Sequence, residues 1–356
     1  MIFVQKIRNY HKRAYKMEYF PSIWKILFTK KKIIAYYGFL YDKNVGDELV
    51  FEAAKRLFPS CLLIPIGRYR PISLLIFEKI IKKRTKGLII GGGTLIIDNK
   101  IHQYNYLRKT LNKTSLIYLH GTGIEQTITE QWETIFVAHK ILYGGLRGQF
   151  SLNIANESHL NLSVVGDAAF SLFTDNKINR KYPYKKILLN YGTHIFNEDS
   201  IVSRRVINTF VNNLSQQGYE VCFLPFHTID FQIGKELNRM NNNIKLLNIP
   251  NSLEEIQQVF NTVDYAIGER LHFIIMAVLS NCPFFSVNYA NKHIDFLDSL
   301  NLKHCGAQMK DISIEQLNYN FDNRNELFDW YKINKQLDNY KMMQLKESED
   351  FINNIK

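Results

Sequence analysis

From residue 33 onward, short apolar runs alternate with longer amphipathic stretches. Runs at 33–39, 61–66, 87–90, 116–120, 141–146 and 163–165 have the length and apolar content of buried strands. Helical periodicity occupies about 46–58, 72–83, 102–112, 127–139 and 151–157 between them. A polar stretch at 174–184 then interrupts the alternation, and a second series begins. Its strands fall at 186–191, 220–225, 244–248, 264–267 and 284–288, and its helices near 198–216, 230–240, 252–261, 272–279 and 294–300. The remaining stretch, 326–355, is amphipathic and helical without a further strand. Strand and helix in strict alternation predict parallel sheets flanked by helices.

The expected fold class is therefore α/β, with two Rossmann-like doubly wound domains facing a cleft, a GT-B-like plan. A chain of 356 residues exceeds what one core usually supports. The expected division is a basic amphipathic N-terminal segment (1–32), an N-terminal Rossmann-like domain (33–173), a linker (174–184), a C-terminal Rossmann-like domain (185–325) and a C-terminal helix (326–356).

Charge changes this picture in one respect. The net charge of +12 is concentrated. Residues 1–32 carry nine Lys/Arg against Glu18 alone, and residues 68–86 carry seven against Glu78 alone. Both segments also hold large apolar residues, among them Tyr15, Phe20, Trp24 and Phe28 in the first and Ile72, Leu75 and Phe77 in the second. Basic residues interleaved with Trp, Phe and Leu fit an interfacial element on an anionic membrane, and equally fit ordinary solvated faces over core residues. No nucleic-acid recognition motif accompanies them, so nucleic acid is not an expected partner. Cys61, Cys222, Cys282 and Cys305 are widely spaced with no CxxC pair, and Cys61, Cys222 and Cys282, beside or within apolar strands, read as reduced core cysteine. No run reaches the roughly 18 apolar residues of a spanning helix, and the N-terminus lacks a signal-peptide pattern. A cytoplasmic location is expected, with peripheral contact on the inner face of the plasma membrane as its extension.

Candidate chemistry clusters where strands end. Gly268-Glu269-Arg270-Leu271-His272 joins the strand at 264–267 to an apolar helix. In open α/β sheets that carboxyl edge is where ligands bind. Arginine offers a planar fork for phosphate or carboxylate, and histidine moves protons near neutral pH. Tyr289 and Lys292 close the next strand and add a hydroxyl and a cation to the same rim. In the first half, Asn44-Val45-Gly46-Asp47 follows the first strand, where Asn44 and Asp47 fit either a helix cap or contacts to sugar hydroxyls. Gly91-Gly92-Gly93 follows the strand at 87–90 and fits either backbone that approaches a ligand closely or a tight strand-to-helix turn. His120 is expected at a strand end, just before the glycine turn Gly121-x-Gly123. Arg147 with Ser151 begins a helix and forms a candidate anion site, and Gly166-Asp167 closes the last strand of that half. His227 and Asp230 lie at another strand end, as ligand contacts or as a helix cap. No P-loop lysine follows a glycine loop, and no His/Cys cluster has zinc spacing, so neither ATP chemistry nor a metal is expected.

These motifs, in this order over roughly 33–300, resemble the polysaccharide pyruvyl transferase family. One departure stands out: the family usually has Arg-Asp-x-x-Ser, and here Gly148 occupies the aspartate position. The resemblance implies transfer of pyruvate from phosphoenolpyruvate onto two hydroxyls of one sugar. The product is a cyclic ketal on a bacterial surface polysaccharide or its lipid-linked precursor, with release of phosphate. It implies His272 and Arg270 as catalytic residues. Arg147, Ser151, Arg270, Leu271, Tyr289 and Lys292 would bind the donor, and Asn44, Asp47, Gly92, Gly93 and His120 the acceptor. No cofactor is implied beyond the donor substrate. His272, His120 and Asp47 are the candidate bases for the sugar hydroxyls. The competing expectation is a nucleotide-sugar glycosyltransferase of the same architecture, with Arg270 and Lys292 clamping a diphosphate.

Overall fold

The computed structural model describes residues 21–40, 44–66, 78–97, 116–125, 128, 132, 142–174, 184–192, 198–241 and 243–355. The expected helix at 102–112, half of that at 72–83, most of that at 127–139, residues 175–183 of the linker and residues 1–20 of the basic segment lie outside them. Two compact units result. The first comprises residues 1–43, 47–172 and 338–356, and the second residues 44–46 and 173–337.

In the first unit, a short helix α1 (Ile23–Phe28) precedes β1 (Lys32–Tyr37), α2 (Val45–Leu57), β2 (Cys61–Ile66), α3 (Glu78–Arg84) and β3 (Thr85–Ile90). There follow β4 (Gly93–Ile96), β5 (Leu116–Ile124), β6 (Leu142–Leu146) and α4 (Gln149–Glu157). The six strands form one parallel sheet in the order β2-β1-β3-β5-β4, with β6 on β5. Its strands are apolar on both faces because helices cover both sides. The 163–165 run does not become a strand: Val164 only bridges Leu146.

The two glycine motifs differ from their sequence reading. Gly91-Gly92-Gly93 does not lead into a helix. It interrupts β3, after which β4 resumes pairing with β5: Ile90 lies opposite Leu119, and Gly93 opposite Thr122. Gly121 and Gly123 do not end β5 but lie inside it, with a register shift between His120 and Thr122. A Cβ at Gly92 would collide with Ala168 and Val50, so close packing excludes a side chain at that break.

The second unit contains β7 (Lys186–Asn190), α5 (Glu198–Gln216), β8 (Glu220–Phe223), α6 (Thr228–Met240), β9 (Ile244–Leu246) and α7 (Leu253–Phe260). Then come β10 (Tyr265–Gly268), α8 (Leu271–Leu279), β11 (Phe284–Asn288), α9 (Asn291–Ser299), β12 (Gly306–Gln308) and α10 (Ile314–Asp322). Its parallel sheet has the order β12-β11-β10-β7-β8-β9. Winding runs outward from β7 to β9 and restarts at β10 beside β7, so β7 and β10 flank the topological switch point. Helix α8 is apolar on all sides and has only His272 incompletely buried. Each fully buried Phe or Ile there contributes about 1.5–3 kcal/mol.

The last long helix, α11 (Trp330–Asn354), begins in the second unit and continues in the first from Asp338. In the first unit Phe351 packs among Phe58, Tyr118 and Tyr143, at ring-centroid distances of 5.7, 5.5 and 5.6 Å. Gln344 is buried and donates to the carbonyls of Val165 and Asp167, both at 2.9 Å. All four cysteines are free thiols in buried positions. Among the described residues no helix is long and apolar enough to cross a membrane.

Candidate active site

In the second unit the motif residues gather at the carboxyl ends of two adjacent strands. β10 and β11 pair with Gly268 opposite Ser286. Arg270, Leu271 and His272 follow β10, and Tyr289 and Lys292 follow β11. Arg270 occupies the N-cap position of α8 and Ala290 that of α9, and neither helix has a side-chain cap. By contrast His227 caps α6, Ser252 caps α7, and a Ser313–Gln316 capping box starts α10. Two neighbouring helix N-termini therefore present backbone N–H groups with no capping side chain over them, and their dipoles favour an anion.

Arg270 is not simply a projecting cation. Its Nε donates to Asp230 Oδ2 at 2.7 Å and its Nη2 to Asp230 Oδ1 at 2.6 Å. Asp230 is fully buried and also accepts from the N–H of Phe226 at 3.1 Å. Asn190, at the end of β7, accepts from the Arg270 N–H at 3.3 Å and donates to the Leu224 carbonyl at 2.9 Å. The neighbouring Glu269 is buried and bound bidentately by Arg204 at 2.8 Å on each arm, and it accepts from the Gly192 N–H at 2.9 Å. Two Arg–carboxylate forks thus fix the turn, which sets the direction of the Arg270 guanidinium plane. His227 accepts at Nδ1 from the Ile229 N–H at 3.1 Å, as the capping alternative anticipated.

His272 packs against Gly46, which belongs to the same unit. A Cβ at Gly46 would overlap the His272 ring, so only glycine leaves that imidazole in place. Asn44 accepts from the Gly46 N–H at 3.0 Å, a local turn bond, and the Val45 N–H donates to the Phe226 carbonyl at 3.0 Å. Leu271 is buried. Lys292 places its Nζ 4.5 Å from the centre of the Tyr289 ring, a cation–π contact, and Tyr289 packs edge-on to the buried His293.

The first unit holds a second cluster. The side chain of Arg147 is fully buried, with Nε donating to Asp167 Oδ2 at 2.9 Å. Its Nη1 and Nη2 have no hydrogen-bond partner among the described residues. Asp167 uses Oδ1 on the Ala169 N–H at 2.9 Å. Ser151 accepts from the Ile124 N–H at 3.0 Å. His120 is fully buried inside β5, and neither ring nitrogen has a partner among the described residues. Burial pushes its pKa down to about 4, against the smaller upward pull of the Asp167 carboxylate. Gly93 has φ +96°, where glycine is strongly favoured, and open space beyond its Cα. Asp47 is half-buried in the first turn of α2.

Of the expected site residues, the structure brings Arg270, Leu271, His272, Tyr289, Lys292 and Asn44 into one unit. It places Arg147, Ser151, His120, Gly92, Gly93 and Asp47 in the other. Sequence reading missed Asn190, Glu269 with Arg204, and the pairing of Asp230 with Arg270. A glutamate directly before the arginine was a signal that this turn needed partners, but nothing local identified them.

Comparison with known proteins agrees with this architecture. A family model described as polysaccharide pyruvyl transferase matches residues 44–291. No curated protein matches the chain in sequence. Among solved structures, the Methanocaldococcus jannaschii UDP-GlcNAc 2-epimerase in complex with UDP-GlcNAc and UDP is similar at TM-score 0.53 and 12% identity. That match covers 82% of this chain and 91% of the other. The S. aureus MnaA–UDP co-structure is similar at TM-score 0.52 and 10% identity, covering 86% and 90%. The glycotransferase of kitacinnamycin is similar at TM-score 0.51 and 10% identity, covering 92% and 100%. At these identities the likeness concerns the fold, which is of the GT-B type.

Proposed function

Because the chain belongs to the polysaccharide pyruvyl transferase family, we propose that it moves pyruvate from phosphoenolpyruvate onto two hydroxyls of one sugar. The acceptor would be a surface polysaccharide or its lipid-linked precursor, and the products a cyclic ketal and phosphate. One observation carries this reading. The uncapped N-termini of α8 and α9 stand side by side and bring Arg270, Lys292 and His272 with them. Phosphoenolpyruvate carries a phosphate and a carboxylate, and two helix N-termini with two cations offer charge-assisted hydrogen bonds to both.

The chemistry then needs a proton on C3 of the enol, which makes C2 electrophilic. His272 supplies it, held in position by Gly46. One sugar hydroxyl bonds to C2 and loses its proton to His272, now acting as base. The C2–O bond to phosphate breaks, the electron pair leaves with phosphate, and the second hydroxyl closes the ketal. Of the two hydroxyl protons, one balances the proton added at C3 and the other leaves on phosphate. Arg270, oriented by Asp230, stabilises the charge on the departing group. Tyr289 steadies the Lys292 ammonium. The proposed acceptor residues are Asn44 in the second unit and Asp47, Gly92, Gly93 and His120 in the first. Arg147 with Ser151 adds a cation for an anionic substrate group. The scheme uses no cofactor beyond the donor.

The same pair of helix N-termini also fits a diphosphate, so a nucleotide-sugar glycosyltransferase is the competing reading. The fold likeness to two UDP-bound proteins favours testing it directly. Incubation with phosphoenolpyruvate and a panel of glycan acceptors is expected to release phosphate. The acceptor should gain the mass of one pyruvate less one water. Sugar transfer from UDP-sugars without turnover of phosphoenolpyruvate would overturn the proposal.

A further inference from the structure

The described parts of the two basic segments meet on one face of the first unit. Helix α1 buries Ile26 in a cluster with Ile33, Leu62, Ile64 and Ile81. Arg84, the last residue of α3, donates its guanidinium to the carbonyls of Ile26, Leu27 and Thr29, the last two at 2.6 and 2.7 Å. This joins α1 and α3 into one surface. Trp24 and Phe28, one helical turn apart, remain 66% and 75% exposed and stack at 5.9 Å with an interplanar angle of 7°. Lys25 and Lys30, in and just after α1, and Lys79, Lys83 and Lys86, in and just after α3, are exposed. Residues 21–32 and 78–86 together hold nine basic side chains against the single acid Glu78.

A lone exposed aromatic needs no explanation, but a stacked Trp–Phe pair on two joined lysine-rich segments does. We propose that this face docks on an anionic lipid bilayer. Trp24 and Phe28 enter the headgroup boundary, and the lysines pair with lipid phosphates. The charge is complementary, and tryptophan and phenylalanine at the apolar side of a basic helix match interfacial anchors. A nucleic acid fits less well: Arg84, the one guanidinium among the described residues of the patch, is committed to α1, and the two rings stack on each other with no gap for a base. The face also lies where docking leaves the ligand edge open. Lys32 and Thr85 begin β1 and β3, so the patch is at the amino edge of the sheet, whereas Gly91–Gly93 lie at the carboxyl edge. Six-residue strands separate the two edges by about 20 Å.

Flotation of the full-length protein with phosphatidylcholine vesicles, with and without phosphatidylglycerol, tests the proposal. Binding to the anionic vesicles only, weakened by high salt, is the expected result. A Trp24→Ser/Phe28→Ser variant should bind about ten-fold more weakly. Lys79→Glu/Lys83→Glu should also bind about ten-fold more weakly and lose most of the salt dependence. The second pair alters only exposed side chains, so it remains informative should the first variant melt early. Equal partition to both vesicles, no binding to either, or wild-type binding by the lysine variant would overturn the proposal. So would tighter retention of a single-stranded oligonucleotide than of anionic vesicles. None of these readouts depends on transferase activity.

Discussion

Asp230 holds Arg270 through two parallel hydrogen bonds, 2.7 Å from Nε and 2.6 Å from Nη2, although 40 residues separate them in the chain. The carboxylate is fully buried and the arginine side chain 15% exposed. The plane of the Arg270 guanidinium is therefore already set. Asp230→Asn removes the charge and one acceptor oxygen while keeping the size. It should lower kcat/KM for phosphoenolpyruvate by about 100-fold and cost about 3 kcal/mol of stability, because an arginine is left buried with a neutral partner. Steady-state phosphate release together with urea unfolding measures both. Unchanged kcat/KM would leave Arg270 without a role in turnover.

His272→Ala should lower turnover by about 10²–10⁴-fold, the range for a general acid, while donor affinity changes little. Single-turnover phosphate release paired with equilibrium dialysis of phosphoenolpyruvate separates the two effects. A variant with full turnover would reject His272 as the proton donor.

Gly46→Ala addresses the same proton from the opposite side. The new methyl overlaps the His272 ring, so the imidazole must move. Overpacking of this kind costs about 1–3 kcal/mol. The fall in kcat is expected to approach that of His272→Ala, with the protein still folded by circular dichroism. Wild-type kcat in a folded Gly46→Ala protein would show that His272 tolerates displacement.

His120 predicts a pH dependence of stability. Its folded pKa is lowered from 6.5 to about 4 by burial, so between those values the unfolded chain binds the proton and the folded chain does not. The stability associated with neutral His120 is intact above about pH 6.5 and is lost as pH falls towards 4, by about 3 kcal/mol at most. Urea midpoints across that window should drop more steeply for wild type than for His120→Gln. Parallel profiles would refute the buried neutral imidazole.

Much of the secondary structure and one half of the candidate site were legible locally. The run ending at Gly268 is apolar enough for a buried strand, and 273–279 for a buried helix, so Arg270 and His272 had to fall at a strand-to-helix junction. The glycine motifs misled because glycine reads as a turn wherever it occurs. Gly91–Gly93 instead separate β3 from β4, while Gly121–Gly123 lie inside the continuous β5, and this is visible only when β3, β4 and β5 are paired. Helix α10 was overlooked, yet Ser313-Ile314-Glu315-Gln316 carried its capping box in plain view.

The sequence by itself determined the α/β class, the two winding series and the motif residues at strand ends. Periodicity and capping act over a few residues, and they leave a local trace. Only the tertiary structure decided which charges those residues meet. Asp230 comes to Arg270 from the start of α6, Arg204 to Glu269 from within α5, Asp167 to Arg147 across 20 residues, and Gly46 to His272 from the far end of the chain. Such partners are chosen by strand order, because parallel strands placed side by side bring their carboxyl ends together whatever their distance in sequence.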